Sequence, residues 1–100
     1  LTLVSSSAHQ TLSALDDMSR SGDIYFVTFD LSGDIAAAVK SGVISFAIGQ
    51  QPYLQGYLPV VMLTNLSRYG VWPSGAINSG PGFITKSNIS LVEKYAGVYR

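Results

Sequence analysis

The sequence predicts an α/β fold in which a parallel sheet lies between two layers of helices, a three-layer αβα arrangement. Short runs of apolar and β-branched residues alternate with segments whose apolar residues recur at helical spacing. The short runs are apolar throughout, which is typical of strands covered on both faces of a parallel sheet. Strands that alternate with helices in this way form βαβ units with right-handed crossovers.

The first half of the chain predicts strand, helix, strand, helix and strand in that order. Residues 2–4 read as the end of a buried strand that breaks into three serines, and apolar residues at helical spacing predict a helix over 8–19. The continuous apolar run over 24–29 predicts the second strand. Ser32 is a good N-cap for a helix that ends at Gly42, and the next strand follows over residues 43–48.

The second half predicts one long helix, a loop and a short helix. Residues 53–69 carry an apolar stripe, and Pro59 inside this segment predicts a kink or a late helix start. Residues 71–82 are rich in glycine, proline, serine and asparagine, which is typical of a loop. Phe83-Ile84 then leads to a short helix that ends at Gly97.

Composition restricts the classes of function. Six basic and six acidic residues give a net charge of zero, and without a basic stripe we expect no nucleic-acid partner. The chain has no cysteine, which excludes disulfides and thiolate metal sites, and we expect no cofactor. Only 12% of residues are charged, so we expect much of the surface to be covered. The apolar start and the helical end indicate a piece of a longer protein.

Two polar side chains follow neighbouring strands. Asp30 comes directly after Phe29, and Gln50 comes shortly after the next apolar run. The carboxyl ends of such strands form the edge at which open α/β sheets bind ligands. A carboxylate accepts hydrogen bonds from hydroxyl groups, and an amide both donates and accepts them. The pair therefore suits a neutral molecule that is rich in hydroxyls.

An enzyme site is a weaker interpretation. Ser7, His9 and Asp30 contain the groups of a catalytic triad, but the chain has no Gly-x-Ser-x-Gly elbow, and nothing in the sequence orients the imidazole. The segment over residues 79–82 lacks the Lys-Ser/Thr ending of a phosphate-binding loop. We therefore expect a binding protein and no catalysis.

Several segments, taken in order, resemble the C-terminal part of sugar-specific periplasmic binding proteins of ABC transporters, the ribose-binding type. The resemblance runs from about Leu3 to Tyr95 and implies two similar α/β lobes, joined by three crossings, with the sugar in the cleft between them. The matching segments are Thr28-Phe29-Asp30-Leu31, the helix end at Gly42, Gln50-Gln51-Pro52-Tyr53-Leu54-Gln55-Gly56-Tyr57 and Asn78-Ser79-Gly80-Pro81-Gly82-Phe83-Ile84-Thr85-Lys86-Ser87-Asn88.

The resemblance implies three ligand-binding residues. Asp30 matches the family aspartate that takes sugar hydroxyls, and Gln50 matches the glutamine at a hinge crossing that also reaches the sugar. Ser7 stands where the family usually has asparagine or aspartate at the start of a C-lobe helix, so Ser7-Ala8 departs from the pattern. Thr28 likewise replaces the usual glycine before the phenylalanine–aspartate pair. Loss of Asp30 is expected to cost roughly 1.5–3 kcal/mol of binding.

The resemblance also implies how the chain is divided and what it does. Residues 1–100 would form an incomplete domain, with 1–50 and 78–100 mainly in the C-terminal lobe and the helix over 53–70 on the N-terminal lobe. The protein would capture a sugar or sugar-like polyol and deliver it to a membrane permease. It would lie in the periplasm or, in a Gram-positive source, be lipid-anchored outside the cell. A chemoreceptor is an open alternative partner.

The main alternative is the effector domain of a LacI-type transcription regulator, which shares this fold. Those regulators usually carry a proline- and threonine-rich segment where this chain has residues 50–56. A helix-turn-helix upstream would favour the regulator, whereas a signal peptide or lipobox would favour the transport protein.

Overall fold

The computed structural model describes residues 1–99 and confirms the predicted alternation of helices and strands. A long helix follows the second strand, and two short 3-10 turns follow the third. The elements are α1 (Ser5–Asp17), β1 (Val27–Phe29), α2 (Gly33–Ser41), β2 (Phe46–Gly49), α3 (Pro52–Tyr69), β3 (Gly82–Ile84) and the 3-10 turns Ile89–Leu91 and Glu93–Tyr95.

The three strands form one sheet in the order β1-β2-β3. β1 and β2 pair in parallel, with Thr28 opposite Ala47, as the sequence predicts. β3, a strand that the sequence did not predict, pairs antiparallel to β2, with Ile84 opposite Ala47, and is thus added to the predicted parallel pair. The reason is that α3 leaves from the carboxyl end of β2 and the chain returns to that same end, so β3 must run in the opposite direction. The predicted first strand is reduced to a single bridge between Thr2 and Thr28.

The core lies on one face of the sheet. The buried residues of three neighbouring strands, Thr28, Ala47 and Ile84, are in register and point to the same side, since side chains alternate along a strand. Helices α1 and α2 pack on one another and on this side of the sheet, and the 3-10 turns pack against α2. The buried hydrophobic residues are Ala8, Leu15, Phe26, Leu31, Ile35, Ala36, Val39, Ile44, Ala47, Ile84 and Ile89.

The opposite face of the sheet carries aromatic side chains that are largely open. Phe46 packs edge-to-face against Tyr25 and Phe83, with ring centroids 6.4 and 5.6 Å away. Tyr25 is 75% exposed and Phe83 is 58% exposed. Residues 1–99 therefore supply one complete helical layer, and the second layer of a three-layer sandwich is not completed within them.

Helix α3 stands apart from this core. It begins at Pro52, runs through Pro59 without interruption, and contributes no buried residue, so the predicted late start is not observed. It extends the molecule to dimensions of 58 × 23 × 21 Å. The following loop folds back over the helix, and Trp72 and Ile77 of the loop face Leu58 and Met62 across a cavity of about 300 Å³. None of the helices in residues 1–99 has the length and apolarity needed to cross a membrane.

Two element boundaries differ from the predicted ones for local reasons. The serine segment forms the first turn of α1, which starts at Ser5 rather than at Ala8, and the N–H of Ala8 donates to the carbonyl oxygen of Val4 at 3.2 Å. The predicted last helix is two 3-10 turns. Before these turns the side chain of Asn88 accepts from the N–H of Thr85 at 2.8 Å, and the N–H of Ile89 donates to the carbonyl oxygen of Thr85 at 3.0 Å.

Candidate functional site

The structure brings together the two residues that were predicted to meet at the edge of the sheet. Asp30 follows β1 directly and Gln50 follows β2 directly. The side-chain Nε2 of Gln50 donates to Oδ1 of Asp30 at 3.1 Å. The predicted proximity is therefore confirmed, and contact of either residue with a ligand stays a prediction.

The backbone around Asp30 holds its carboxylate at the strand end. Asp30 has a φ of +65°, in the left-handed region that aspartate and asparagine enter more readily than most residues. Its N–H donates to the carbonyl oxygen of Ile48 on β2 at 2.9 Å. Two residues earlier, the fully buried Thr28 accepts a 2.7 Å hydrogen bond from the hydroxyl of Thr2. The hydroxyl of Thr28 thus connects Thr2 to β1, the strand that Asp30 follows.

The chain crosses between the sheet and α3 twice, and the two crossings lie side by side. Nε2 of Gln51 donates to the carbonyl oxygen of Ser79 at 2.6 Å. Nε2 of Gln55 donates to the carbonyl oxygen of Gln50 at 2.8 Å and to the hydroxyl of Ser79 at 2.9 Å. The 2.6 Å bond gives the Gln51 side chain a structural role between the two crossings. Sequence reasoning missed Gln55, whose main-chain N–H donates to the carbonyl oxygen of Gln51 at 3.1 Å at the start of α3.

A cavity of about 270 Å³ lies beside these crossings. Its wall combines aromatic and aliphatic surface with an amide and a hydroxyl, the mixture that small-molecule sites usually show. Gln50 lines it, and Asp30 stands behind Gln50 in an adjoining recess with Leu31 and Pro52. The residues that line the larger cavity are Phe29, Ile48, Gln50, Gln55, Ser79, Gly80 and Pro81.

The third predicted residue, Ser7, is not joined to the pair. Its hydroxyl donates to the carbonyl oxygen of Val4, just before α1, and no hydrogen bond within residues 1–99 connects it to Asp30 or Gln50. His9 points to the start of α2, where its Nε2 lies 3.0 Å from the hydroxyl of Ser32. The groups that could have formed a triad are therefore spread over separate contacts.

The main chain at Gly80 lies so close to β2 that a larger residue there should destabilise the fold. A Cβ added at Gly80 would lie 2.9 Å from the carbonyl oxygen of Gly49, which is held in β2. We expect Gly80→Ala to lower the free energy of unfolding by about 1–3 kcal/mol, because the main chain must shift to admit the methyl group. Denaturant unfolding measures this change. Gly75→Ala is the matched control, since a Cβ there meets nothing within 4 Å; equal stability of the two variants would contradict the close approach.

Comparison with known proteins places the chain in a family. Residues 1–70 match the model of the periplasmic binding protein domain. The chain is also 38% identical over 85 residues to the xylose/arabinose-binding protein XylF of Sulfolobus acidocaldarius, a match that covers 80% of the chain and 21% of the relative. The chain belongs to the periplasmic binding protein family. It spans about a fifth of the length of that curated relative, and the family and this relative are binding proteins rather than enzymes.

Solved structures of transport proteins share the fold. A carbohydrate transporter from Acidothermus cellulolyticus 11B in complex with myo-inositol matches with a TM-score of 0.82 and 32% identity, over 94% of this chain and 33% of that one. An ABC transporter solute-binding protein from Agrobacterium vitis bound to α-D-tagatopyranose matches with a TM-score of 0.61 and 34% identity, over 80% and 26%. These matches confirm the predicted resemblance and the α/β fold. This chain spans a third or less of each matched chain.

A third structure represents the predicted alternative. A LacI transcriptional regulator from Bacteroides fragilis, described as putative, matches with a TM-score of 0.69 and 26% identity, over 79% of this chain and 27% of that one. The fold of residues 1–99 is thus shared between transport proteins and a regulator.

Proposed function

We propose that this chain is part of a solute-binding protein that captures a sugar or sugar-like polyol and delivers it to a membrane ABC permease. The observation that carries the proposal is the hydrogen bond between Gln50 and Asp30 at the carboxyl edge of the sheet. It is supported by the relatives, one named for xylose and arabinose and two solved with myo-inositol and tagatopyranose. The mechanism is binding without chemistry.

The pair is suited to hydroxyl groups. Oδ1 of Asp30 accepts from Gln50, which leaves Oδ2 as a further acceptor for a ligand hydroxyl. A hydrogen bond to a carboxylate is charge-assisted and is about twice as strong as one between neutral groups. The carbonyl oxygen and second N–H of the Gln50 amide add an acceptor and a donor for neighbouring hydroxyls. Closure of the cleft would strengthen these bonds by excluding water.

The division into two lobes is part of the proposal. Residues 1–50 and 78–100 would belong mainly to the C-terminal lobe, and 53–70 would lie on the N-terminal lobe. This division is supported by the burial pattern, because all core residues fall outside α3 and α3 itself buries none. The exposed apolar residues of α3, among them Tyr57, Val60 and Leu63, would then pack on polypeptide outside this chain.

In this scheme the ligand acts by shifting a population. It binds the open form, hinge bending at the crossings buries it, and the permease recognises the closed form. The protein would work in the periplasm or, with a lipid anchor, outside a Gram-positive cell. A chemoreceptor that recognises the same closed form would be a second partner.

The LacI-type regulator is the second candidate, and the match to the Bacteroides fragilis structure favours it specifically. The same edge of the sheet would then bind an effector, and the partner would be DNA, bound by a separate domain. The neutral charge of this chain fits either function, since a regulator's effector domain does not contact DNA itself.

A thermal-shift screen of the intact protein tests the proposal. Xylose, arabinose, tagatose and myo-inositol are the first ligands, with glycine and sulfate as non-sugar controls. A ligand that binds only the folded state raises the melting temperature, by an amount that grows with its concentration over Kd. A rise with a sugar or polyol alone supports the proposal, and a rise only with non-sugar ligands would refute it. Sugar-dependent release of the intact protein from DNA would instead establish the regulator.

A further inference from the structure

One side chain connects the two crossings directly. Gln55 lies in the first turns of α3, and its Nε2 donates both to the carbonyl oxygen of Gln50 and to the hydroxyl of Ser79. The two distances, 2.8 and 2.9 Å, are those of good hydrogen bonds. A primary amide has two N–H groups, so both acceptors can be served at once. One acceptor lies on the first crossing and the other lies on the second.

Further contacts surround this side chain. Nε2 of Gln51 donates to the main-chain oxygen of Ser79, and Gly80 lies against the carbonyl oxygen of Gly49. We call the set Gln50, Gln51, Gln55, Ser79 and Gly80 the crossing clasp. Within it, Gln55 is the residue whose side chain contacts both the main chain of Gln50 and the side chain of the second crossing. The clasp adjoins the 270 Å³ cavity, which Gln50, Gln55 and Ser79 all line.

We propose that Gln55 is a positioning residue for ligand binding, which holds the main chain of Gln50 so that the Gln50 amide stays against Asp30. This inference rests on the proposed sugar-binding function. Gln50 is exposed and lies just after β2, so sheet hydrogen bonds do not fix its carbonyl. A rotation of that peptide group would carry the whole Gln50 side chain away from Asp30. The bond from Gln55 opposes this rotation, and the bond to Ser79 orients Gln55 in turn.

A direct role is the competing explanation, since Gln55 also lines the cavity and could touch a ligand. The two roles differ in one respect. A residue that acts through Gln50 has no effect once the Gln50 side chain is removed, whereas a direct ligand contact keeps its effect. A double-mutant cycle between positions 50 and 55 therefore separates them.

The experiment uses the intact protein and two substitutions of opposite chemistry. Gln55→Glu keeps the shape of the side chain but removes the N–H donors, and Gln55→Lys keeps a donor on a chain of similar length. Gln10→Glu, at an exposed glutamine of α1, controls for the added negative charge. The dissociation constant is measured by calorimetry with whichever of xylose, arabinose, tagatose and myo-inositol binds wild type. The resonance of the Gln50 side-chain amide is followed by NMR without sugar, after selective ¹⁵N-glutamine labelling.

We expect Gln55→Glu to weaken sugar binding roughly tenfold, since one neutral hydrogen bond contributes about that factor. Gln55→Lys should restore most of the affinity, Gln10→Glu should bind as wild type, and the loss should vanish in a Gln50→Ala background. Unchanged affinity in Gln55→Glu would overturn the proposal, and so would a tenfold loss that persists in Gln50→Ala.

The NMR measurement keeps this inference separate from the proposed function. If wild type binds no sugar, the proposed function fails, but the Gln50 amide resonance still reports its position. A shifted resonance in Gln55→Glu, restored in Gln55→Lys, supports the positioning role by itself. An unchanged resonance overturns it whatever the protein binds.

Discussion

Asp30→Asn is expected to weaken sugar binding by about ten- to a hundredfold, because hydrogen bonds to a carboxylate are stronger than those to a neutral amide. Asparagine is a better replacement than alanine here. Asp30 has a φ of +65°, which asparagine adopts at low cost, so the backbone of the site is preserved while the charge is removed. Alanine would add backbone strain to the loss of the carboxylate. Calorimetric titration of the intact protein with its sugar measures the effect.

The control for this experiment is Asp17→Asn, at an exposed aspartate that ends α1. It removes the same charge at a residue that lines neither the cavity nor the recess, and we expect it to bind sugar as wild type does. The melting temperature without sugar should be similar for wild type and both variants. Wild-type affinity in Asp30→Asn would remove this carboxylate from the site, and equal losses in both variants would point to a general effect of charge.

Ile35→Ala is expected to have the largest effect on stability, about 2–5 kcal/mol, through the cavity that it leaves in the core. Ile35 is fully buried in the first turn of α2, and its N–H donates to the capping hydroxyl of Ser32. The helix that it anchors packs against α1 and against the 3-10 turns. Loss of this side chain therefore loosens several elements at once. The shift of the urea unfolding midpoint of the intact protein measures the effect.

Ile24→Ala provides the matched truncation, because Ile24 is 45% exposed and loses much less contact. We expect it to cost less than about 1 kcal/mol, as surface substitutions usually do. If Ile24→Ala were as destabilising as Ile35→Ala, the core would not lie where the burial of these two residues places it.

The sequence carried enough information to predict the part of the fold that supports the site. Continuous apolar runs predicted β1 and β2, and the positions of Asp30 and Gln50 after these runs predicted that the two side chains would meet. The helix between β1 and β2 was also predicted from the sequence. Ser32 accepts from the N–H of Ile35 as an N-cap, and Gly42 ends the helix with a φ of +93°. These features depend on neighbours in sequence, which is why a single sequence reveals them.

Features that depend on distant parts of the chain were not predictable in the same way. The antiparallel direction of β3 depends on where the loop after α3 returns to the sheet. The role of Gln55 depends on Ser79, which is 24 residues away and meets it only after the fold has formed. Ser7 illustrates a third case, because a hydroxyl can bond to a carbonyl three residues earlier as readily as to a ligand.

The pairing of β2 with β3 has a consequence for how this region could be rebuilt. Gly49 and Gly82 face one another across the two strands, so the 32 residues between them leave and re-enter the sheet at a single pair of positions. In topological terms this segment is an insertion between the two strands of a β-hairpin. A two-residue turn is enough to join antiparallel strands. Replacing residues 50–81 by such a turn would join β2 directly to β3, so the sheet would keep its register while α3 and both crossings are gone.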